Sequence, residues 1–361
     1  MSLPQKIARF IPNVLYRPMS LAMVQPLVII VLIFGFVYGC DTSPAIDVED
    51  KREEVPEEDR LLWPAPDHSS VLKVPFKDEQ QRFVLEDDVD YRVVLPDQPL
   101  THRLDIWGGR NVSVVGGAFR LKGYADLETN KAALAFWQGD QGQARTIHVE
   151  GVLFDMADAR DRDGLALNDE NAIFQVQNIR FENVNGDHEG LHPDAIENWG
   201  GAKEVRIYKT TVITDHQGFL LSPLQPTQVH PIERVDIRKT DFRRNDGVYG
   251  SYPDHKCPIY LWLVHYQQET CVTYERGAFL QDVYALHADN CWDFGMNDAM
   301  PNTIQPTDCL ASVNEAGTEM SWPAFSFEGM LQQGLPPDGE FVPEGVAGIA
   351  YVSPGYKSQG N

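Results

Sequence analysis

The sequence predicts an all-β protein built as a parallel solenoid, in which short strands of successive repeats stack on one another. The first observation is a recurring unit: a short strand, a turn, a second strand of the form V-x-I/V, and a phenylalanine or valine a few residues later. The second is that no segment keeps a 3.6-residue apolar period over ten residues, because Gly or Pro interrupts most of them. The third is the length of 361 residues, which is too long for one ordinary compact core and suits stacked repeats or two domains.

The repeats differ mainly in the length of their loops, as is typical of a solenoid. One complete repeat lies in residues 190–223, where two strands separated by Gly200-Gly201 precede a loop that contains Asp215 and His216. Aligned by their first strands, the repeats begin near Leu104, Leu134, Leu165, Ala195, Phe219 and Ile259.

The N-terminus has the features of a secretory signal. An apolar run at residues 24–38 follows Lys6, Arg9 and Arg17 without an intervening acidic residue. The run is short for a membrane-spanning helix of about 20 residues, although a marginal span is the alternative. Residues 37–40 read Val-Tyr-Gly-Cys and resemble the lipobox of bacterial lipoproteins, which implies cleavage before Cys40 and lipidation of its thiol. We therefore expect residues 1–39 to be a lipoprotein signal peptide, with the mature protein anchored in the cell envelope and facing the periplasm or the exterior.

The remaining chain divides into a tether and one folded domain. Residues 40–70 are acidic and rich in proline, which predicts a flexible tether without chemistry of its own. The solenoid is expected over residues 71–361. Its C-terminal part, from about residue 300, is predicted to close the end of the stack with irregular structure and one strand at residues 347–352.

Charge limits the possible partners. The formal net charge of −23 argues against a nucleic-acid partner, because that interaction needs clustered Lys and Arg. A local basic surface could still bind a polyanionic carbohydrate. We expect a monomer whose partners are a polysaccharide and, through Cys40, a membrane.

Two segments carry a resemblance to a known superfamily. His192-Pro-Asp-Ala-Ile196 followed by Gly200-Gly201, and His216-Gln-Gly-Phe219, occur within x-V-x-I-x-x-x-x-F units. This pattern resembles the pectate lyase and polygalacturonase superfamily over roughly residues 95–298. The resemblance implies a right-handed single-stranded parallel β-helix. The resemblance does not extend to the catalytic motifs of polygalacturonases. Arg206-Ile-Tyr208 matches only part of one of these motifs, Arg-Ile-Lys.

A row of basic residues is the first candidate site. With the strand starts in register, the residues three places earlier are Arg162, His192, His216 and Lys256, about 4.8 Å apart per repeat. Such a row could bind carboxylates along a sugar chain, with His192 or His216 as the base that removes a proton in β-elimination. Charged loops that serve solubility are the alternative interpretation.

Carboxylates in the same loops form the second candidate. Asp163 and Asp194 are expected on adjacent repeats, offset by one residue, where they could act as a hydrolase pair or share a Ca²⁺ ion. We assign His192, His216 and Asp194 to catalysis. The residues assigned to substrate binding are Arg162, Lys256, Asp163 and Asp215. A turn Asp that bonds its own backbone is the competing interpretation.

Other motifs have ordinary explanations beside functional ones. Residues 188–192 match H-E-x-x-H of zinc proteases, but that motif needs a helix, whereas Gly190 and Pro193 favour a loop. The aromatic residues on the short strands could form a sugar platform or fill the core. Four cysteines permit two disulfides in any of three connectivities or remain free thiols. They are Cys257, Cys271, Cys291 and Cys309.

The function indicated by these patterns is action on an extracellular or envelope polysaccharide that contains uronates. β-Elimination is favoured over hydrolysis because of the basic row. The alternative is a non-catalytic carbohydrate-binding or surface-structural lipoprotein on the same scaffold, since a fold does not determine an activity. A zinc metalloprotease is a minor alternative.

Overall fold

The computed structural model describes residues 60–124, 132–139, 144–186, 193–224, 230–245, 259–263, 265–267, 270–272, 274–286, 312–322 and 327–355. In these ranges the chain forms 22 strands and no helix, which confirms the all-β prediction. No helix in the same ranges is both long and apolar enough to span a membrane. The predicted signal peptide, Cys40, His192 and Lys256 lie outside the described residues.

The strands are short except for β12 and β13, and we number them in chain order. They are β1 (Ser70–Lys73), β2 (Gln81–Leu85), β3 (Tyr91–Val94), β4 (Leu104–Gly108), β5 (Val112–Val115), β6 (Ala118–Arg120), β7 (Gly123–Tyr124), β8 (Leu134–Trp137), β9 (Arg145–Glu150), β10 (Leu153–Asp155), β11 (Ala159–Arg160), β12 (Leu165–Val184), β13 (Asp194–Thr214), β14 (Gln217–Leu220), β15 (Arg234–Arg244), β16 (Ile259–Trp262), β17 (His265–Gln267), β18 (Thr270–Val272), β19 (Ala278–Leu286), β20 (Ser312–Val313), β21 (Glu319–Ser321) and β22 (Phe327–Gln333).

Eighteen of the strands form one mostly parallel sheet, and the pairings within it fall into three rows. Row A links β2, β4, β8, the first parts of β12 and β13, β14 and β16. Row B links β1, β3, β5, β9, the middle of β12 and β13, β15, β19 and β22. Row C links β6, β10 and the final parts of β12, β13, β15, β19 and β22. The chain therefore visits rows A, B and C in turn and then starts the next repeat.

The register of row A differs from the predicted one. Leu165 is paired with Ile196 rather than with Ala195. Phe219 is paired with Leu261 rather than with Ile259. Leu165, Ile196, Phe219 and Leu261 are core residues that are at most 1% exposed. The observed register differs from the predicted one by one residue at Ala195 and by two at Ile259, and only the one-residue shift exchanges the faces of a strand.

Apolar side chains from the three rows fill one continuous core. In row C the rings of Phe119, Phe154 and Phe181 stack on one another through successive repeats. The centroid distances are 5.3 Å between Phe119 and Phe154 and 4.8 Å between Phe154 and Phe181. The phenylalanine that recurs in the sequence therefore forms a ladder in the core through these repeats.

A sharp turn joins row B to row C, and we call it the B–C corner. In five successive repeats it places one residue at positive φ, a region that favours Gly, Asn and Asp. These residues are Gly151, Asn178, Lys209, Lys239 and Asp282.

The C-terminal segment corrects the predicted end cap. Strands β20 to β22 extend the sheet, and β22 pairs with β19. Residues 335–355, which we call the C-terminal strap, form no strand and run back across the repeats. Phe341 N donates to Asp241 Oδ1 at 3.0 Å, Val342 N to Thr211 Oγ1 at 3.0 Å, and Tyr351 Oη to Glu150 Oε1 at 2.6 Å. Side chains of the sheet thus satisfy the backbone N–H groups of Phe341 and Val342. Residues 347–352, where one strand was predicted, form no strand.

The folded part begins before residue 71, where the tether was predicted to end. The backbone N–H groups of Leu62 and Trp63 donate to Gln177 Oε1 at 3.0 and 3.1 Å, and Gln177 Nε2 donates to Trp63 O at 2.7 Å. Leu61-Leu62-Trp63 is an apolar stretch within an acidic segment, which explains why it binds the sheet.

A glycine substitution tests the contact between the strap and the sheet. Gly151 has a φ of +66°, and a Cβ there would lie 2.0 Å from Tyr351 Cδ1. We expect Gly151→Ala to lower the free energy of unfolding by about 3 kcal/mol, through backbone strain and displacement of Tyr351. Gly123→Ala is the matched control, because Gly123 has a φ of +72° and nothing within 4 Å of the added atom. Urea unfolding should show a loss of only about 1 kcal/mol for the control, and equal losses would contradict the packing role of Gly151.

Candidate functional site

The candidate site lies where row C returns to row A, in the loops before β12, β13 and β14. Four aspartates of these loops, which we call the carboxylate cluster, come from neighbouring repeats. Hydrogen bonds between the backbones hold the loops together: Asp161 N donates to Asn185 O at 2.9 Å, and Asp215 N donates to Val184 O at 3.2 Å. The members of the cluster are Asp161, Asp163, Asp194 and Asp215.

Asp163 and Asp194 occupy equivalent positions, which corrects the predicted offset of one residue. Asp163 lies two residues before Leu165, Asp194 lies two residues before Ile196, and Leu165 pairs with Ile196. The backbone N–H of Asp194 donates to Asp163 Oδ1 at 3.0 Å. Both residues are almost fully buried, at 1% and 0% exposure. Their carboxylates are therefore neighbours in the stack, and Asp163 also holds the backbone of the next repeat.

Asp215 is the half-buried member of the cluster. Burial raises the pKa of its carboxyl to about 6, and the nearby charge of Asp161 acts in the same direction. The N–H of Gly186, 3.1 Å from Asp215 Oδ1, and the charge of Arg244 lower the pKa but do not cancel the effect of burial. Because Asp215 is only half-buried, it combines a pKa near neutrality with access from solvent.

His216 lies beside Asp215 and is half-buried. Its backbone N–H donates to Thr214 Oγ1 at 3.0 Å. A Cβ on Gly186 would lie 2.9 Å from both His216 Cδ2 and Pro193 Cγ, so the imidazole, the glycine and the proline are in close contact. Only glycine at position 186 leaves room for the ring in this place.

The observed register does not align the predicted basic row. Three places before Ile196 is Pro193, so Arg162 and His216 share their position with a proline. The Nε of Arg162 donates to Gly123 O at 3.5 Å, which directs this side chain toward β7. His192 and Lys256 themselves lie outside the part of the chain that the structure describes.

An amide network beside the cluster was missed from the sequence. Asn245 Nδ2 donates to Asn185 Oδ1 at 2.9 Å and to Asn183 Oδ1 at 3.3 Å. Asn183 Nδ2 donates in turn to Asp155 Oδ1 at 3.0 Å. Asn183 also has a φ of +57°, which asparagine tolerates better than most residues. The Asn-x-Asn-Gly sequence at residues 183–186 was the available signal.

The predicted aromatic platform divides into separate parts. Trp107 and Trp137 stack with centroids 4.9 Å apart, and Trp137 Nε1 donates to Asp105 Oδ1 at 3.0 Å. Trp199 is 47% exposed, whereas Tyr260 is buried and its hydroxyl donates to Leu286 O at 3.0 Å. Tyr260 is therefore a core residue, and Trp199 remains accessible to a ligand.

The described residues contain no group of three or more His, Cys, Asp or Glu side chains that could hold a metal ion. Residues 188–192, which match H-E-x-x-H, lie outside those residues, as do Cys257, Cys291 and Cys309. Cys271 belongs to β18, a strand paired with β17. The disulfide and calcium predictions stay predictions.

The cluster can transfer a proton near neutral pH. A carboxyl with a pKa of about 6 is partly protonated near neutral pH, so it can donate a proton to an oxygen or accept a proton from water. Comparison of the chain with protein-family models, with curated proteins and with solved structures gave no match. The functional argument therefore rests on the residues of the site.

Proposed function

We propose that this chain is an exported, lipid-anchored right-handed single-stranded parallel β-helix that hydrolyses an extracellular or envelope polysaccharide containing uronates. The β-helix is supported by three rows of parallel strands visited in turn in successive repeats. Right-handedness is supported by the chirality of crossovers between parallel strands, about 98% of which are right-handed. The anchor at Cys40 and the cell-envelope location are supported by the sequence of residues 1–39.

Hydrolysis rests on one observation, the raised pKa of Asp215 within a cluster of carboxylates. In this proposal protonated Asp215 donates its proton to the glycosidic oxygen as the bond to the anomeric carbon breaks. A water molecule attacks that carbon, and a second carboxylate of the cluster takes the proton of the water. His216 borders the same loop and helps to position the sugar chain.

β-Elimination has less support than hydrolysis. It depended on a basic row that would neutralise a uronate carboxylate and remove its neighbouring proton. Arg162 and His216 hold equivalent positions in two repeats, but the repeat between them has Pro193 at that position, where the predicted row needs a basic residue. The groups gathered among the described residues at this place are mainly acids.

A non-catalytic carbohydrate-binding protein is the second candidate, and a specific observation favours it. Asp161, Asp163 and Asp194 are at most 1% exposed. A sugar approaching from solvent would meet Asp215 and His216 first, and these two residues could bind it without bond cleavage. The H-E-x-x-H match carries no proposal.

Products distinguish these functions. The full chain is incubated with polygalacturonate, alginate and neutral dextran, while reducing ends and the ultraviolet absorbance of a conjugated unsaturated uronate are followed. We expect reducing ends to increase on a uronate polymer without that absorbance. An increase in absorbance would overturn hydrolysis in favour of elimination, and binding without either signal would overturn both enzymatic functions.

A further inference from the structure

The outer face of row B carries a concentration of cations that the proposed catalytic loops do not use. The cations project from β13, β15 and the turn before β19, in a protein whose formal net charge is −23. We call this set the cationic face: Arg206, Lys209, Arg234, Arg238, Lys239 and Arg276.

Two buried carboxylates lie beneath the arginines and orient them. Glu204 Oε1 accepts from Arg206 Nε at 2.9 Å. Asp236 accepts from Arg238 Nε at 2.7 Å and from Arg234 Nη2 at 3.0 Å. The carboxylate side chains are both 4% exposed, whereas the side chains of Arg206, Arg234 and Arg238 are 25% to 34% exposed. The layer that a partner would meet is therefore cationic and already ordered, which lowers the entropic cost of binding.

The carboxylates near this face do not neutralise its positive charge. Arg276 Nη1 lies 3.8 Å from Glu204 Oε2 and 3.5 Å from Glu233 Oε2, and Glu233 also pairs with Lys203 at 3.8 Å. Asp282 occupies the next B–C corner after Lys239 and ends the run of cations. Among the described residues of these strands, the cations outnumber the carboxylates.

The B–C corner gives a second, independent observation. Lys209 and Lys239 stand at φ of +49° and +48°, where the other repeats use Gly, Asn or Asp. Lysine is disfavoured in this backbone region, so the turn alone does not explain its use in two successive repeats. Both ammonium groups lie 5.9 Å from the centroid of the Tyr208 ring. The two lysines hold equivalent positions on adjacent repeats, so one anion at this corner could contact both.

We infer that the cationic face binds the carboxylates of an acidic polysaccharide, as a docking surface separate from the catalytic loops. Lys209 and Lys239 hold equivalent positions on adjacent repeats, which are about 4.8 Å apart, and the partly exposed arginine side chains lie beside them. A polyanion with carboxylates along its length can contact both lysines at once. This inference rests on the proposed action on a uronate-containing polysaccharide and adds a separate surface that binds it.

A membrane surface fits the same face less well. Interfacial binding uses apolar side chains that insert between lipids as well as cations. Tyr208 is buried, and Phe279 is covered by Arg238, whose Cζ lies 4.4 Å from the ring centroid. Of the large hydrophobic side chains that the structure describes as strongly exposed, none belongs to this face.

The experiment removes the two lysines without straining the corner. Lys209→Asn and Lys239→Asn are combined in the full chain, since asparagine tolerates positive φ. Binding is measured to polygalacturonate at low salt, in an Asp215→Asn background that prevents cleavage. We expect about tenfold weaker binding, which corresponds to two partly exposed ion pairs, and weaker binding of the parent as salt increases.

The matched control removes the same charge elsewhere, with Lys77→Asn and Lys122→Asn, both at exposed positions. Unchanged binding by the variant that combines Lys209→Asn and Lys239→Asn, or an equal loss of binding in the control, would overturn the inference. Preference of the parent for anionic phospholipid vesicles over polygalacturonate would also overturn it. The binding assay needs no turnover. If binding depends on Lys209 and Lys239 but the parent protein cleaves none of the polymers, the proposed hydrolysis is refuted and the inference about the cationic face stands.

Discussion

Asp215→Asn is expected to reduce hydrolysis of the polysaccharide by about 10²- to 10⁴-fold, the usual contribution of a general acid. An amide cannot donate the proton that the glycosidic oxygen requires. Its oxygen can still accept the N–H of Gly186, 3.1 Å from Asp215 Oδ1, so the loop should keep its conformation. Reducing-end assays on the full chain measure the loss.

The same substitution should stabilise the fold at neutral pH. The pKa of Asp215 is raised from 3.8 to about 6 in the folded state, so the folded protein binds the proton more tightly than the unfolded chain does. Between these two values the ionised carboxyl increasingly destabilises the fold as pH rises, and above about pH 6 the full penalty is present. We expect Asp215→Asn to raise the free energy of unfolding by on the order of 2 kcal/mol at pH 7. Near pH 4 the gain should nearly disappear.

Asp158→Asn is the control for both effects. Asp158 lies in the loop that leads to Asp161, but its side chain is 49% exposed and pairs with Arg120 at the surface. Neither activity nor stability should change much in this variant. An Asp215→Asn protein that keeps parental activity would refute the assignment of the proton donor. A gain in stability that is independent of pH would show that burial does not perturb this carboxyl.

Phe154→Ala is expected to lower the free energy of unfolding by about 4 kcal/mol, in the range for removal of a fully buried phenylalanine. The ring is inaccessible to solvent and lies between Phe119 and Phe181 at 5.3 and 4.8 Å. Its removal leaves a cavity that separates two neighbouring repeats. In a stacked architecture each repeat relies on its neighbours, so the loss cannot be relieved locally.

Phe76→Ala makes the same chemical change at a position that is 41% exposed. Urea unfolding of this variant should show a loss below about 1 kcal/mol. Similar losses in the two variants would mean that the phenylalanine ladder is not the core of the stack.

The sequence located the loops of the candidate site more accurately than the contacts within them. Asp163, Asp194, Asp215 and His216 do lie in adjoining loops of successive repeats. Their alignment depended on which apolar residue begins each strand, and Ala195 was chosen where Ile196 is the residue that pairs with Leu165. Both residues are apolar, buried and part of the same core, so the sequence could not reveal which one pairs with Leu165.

The two terminal segments show a different limit. Residues 335–355 were expected to end the stack, and residues 61–66 were expected to be free of it. In the structure, Gln177 binds Trp63, and Asp241 and Thr211 bind the strap. These contacts join residues 100 or more positions apart, so no local pattern could predict them.

The sequence by itself determined the all-β class, the recurring strands and the loops that carry reactive side chains. It did so because side-chain alternation and turn residues act locally, within one repeat. Only the tertiary structure decided the register, the raised pKa of Asp215 and the ordering of the cationic face over Glu204 and Asp236. Each of these depends on burial between neighbouring repeats, and burial is established only when the repeats stack.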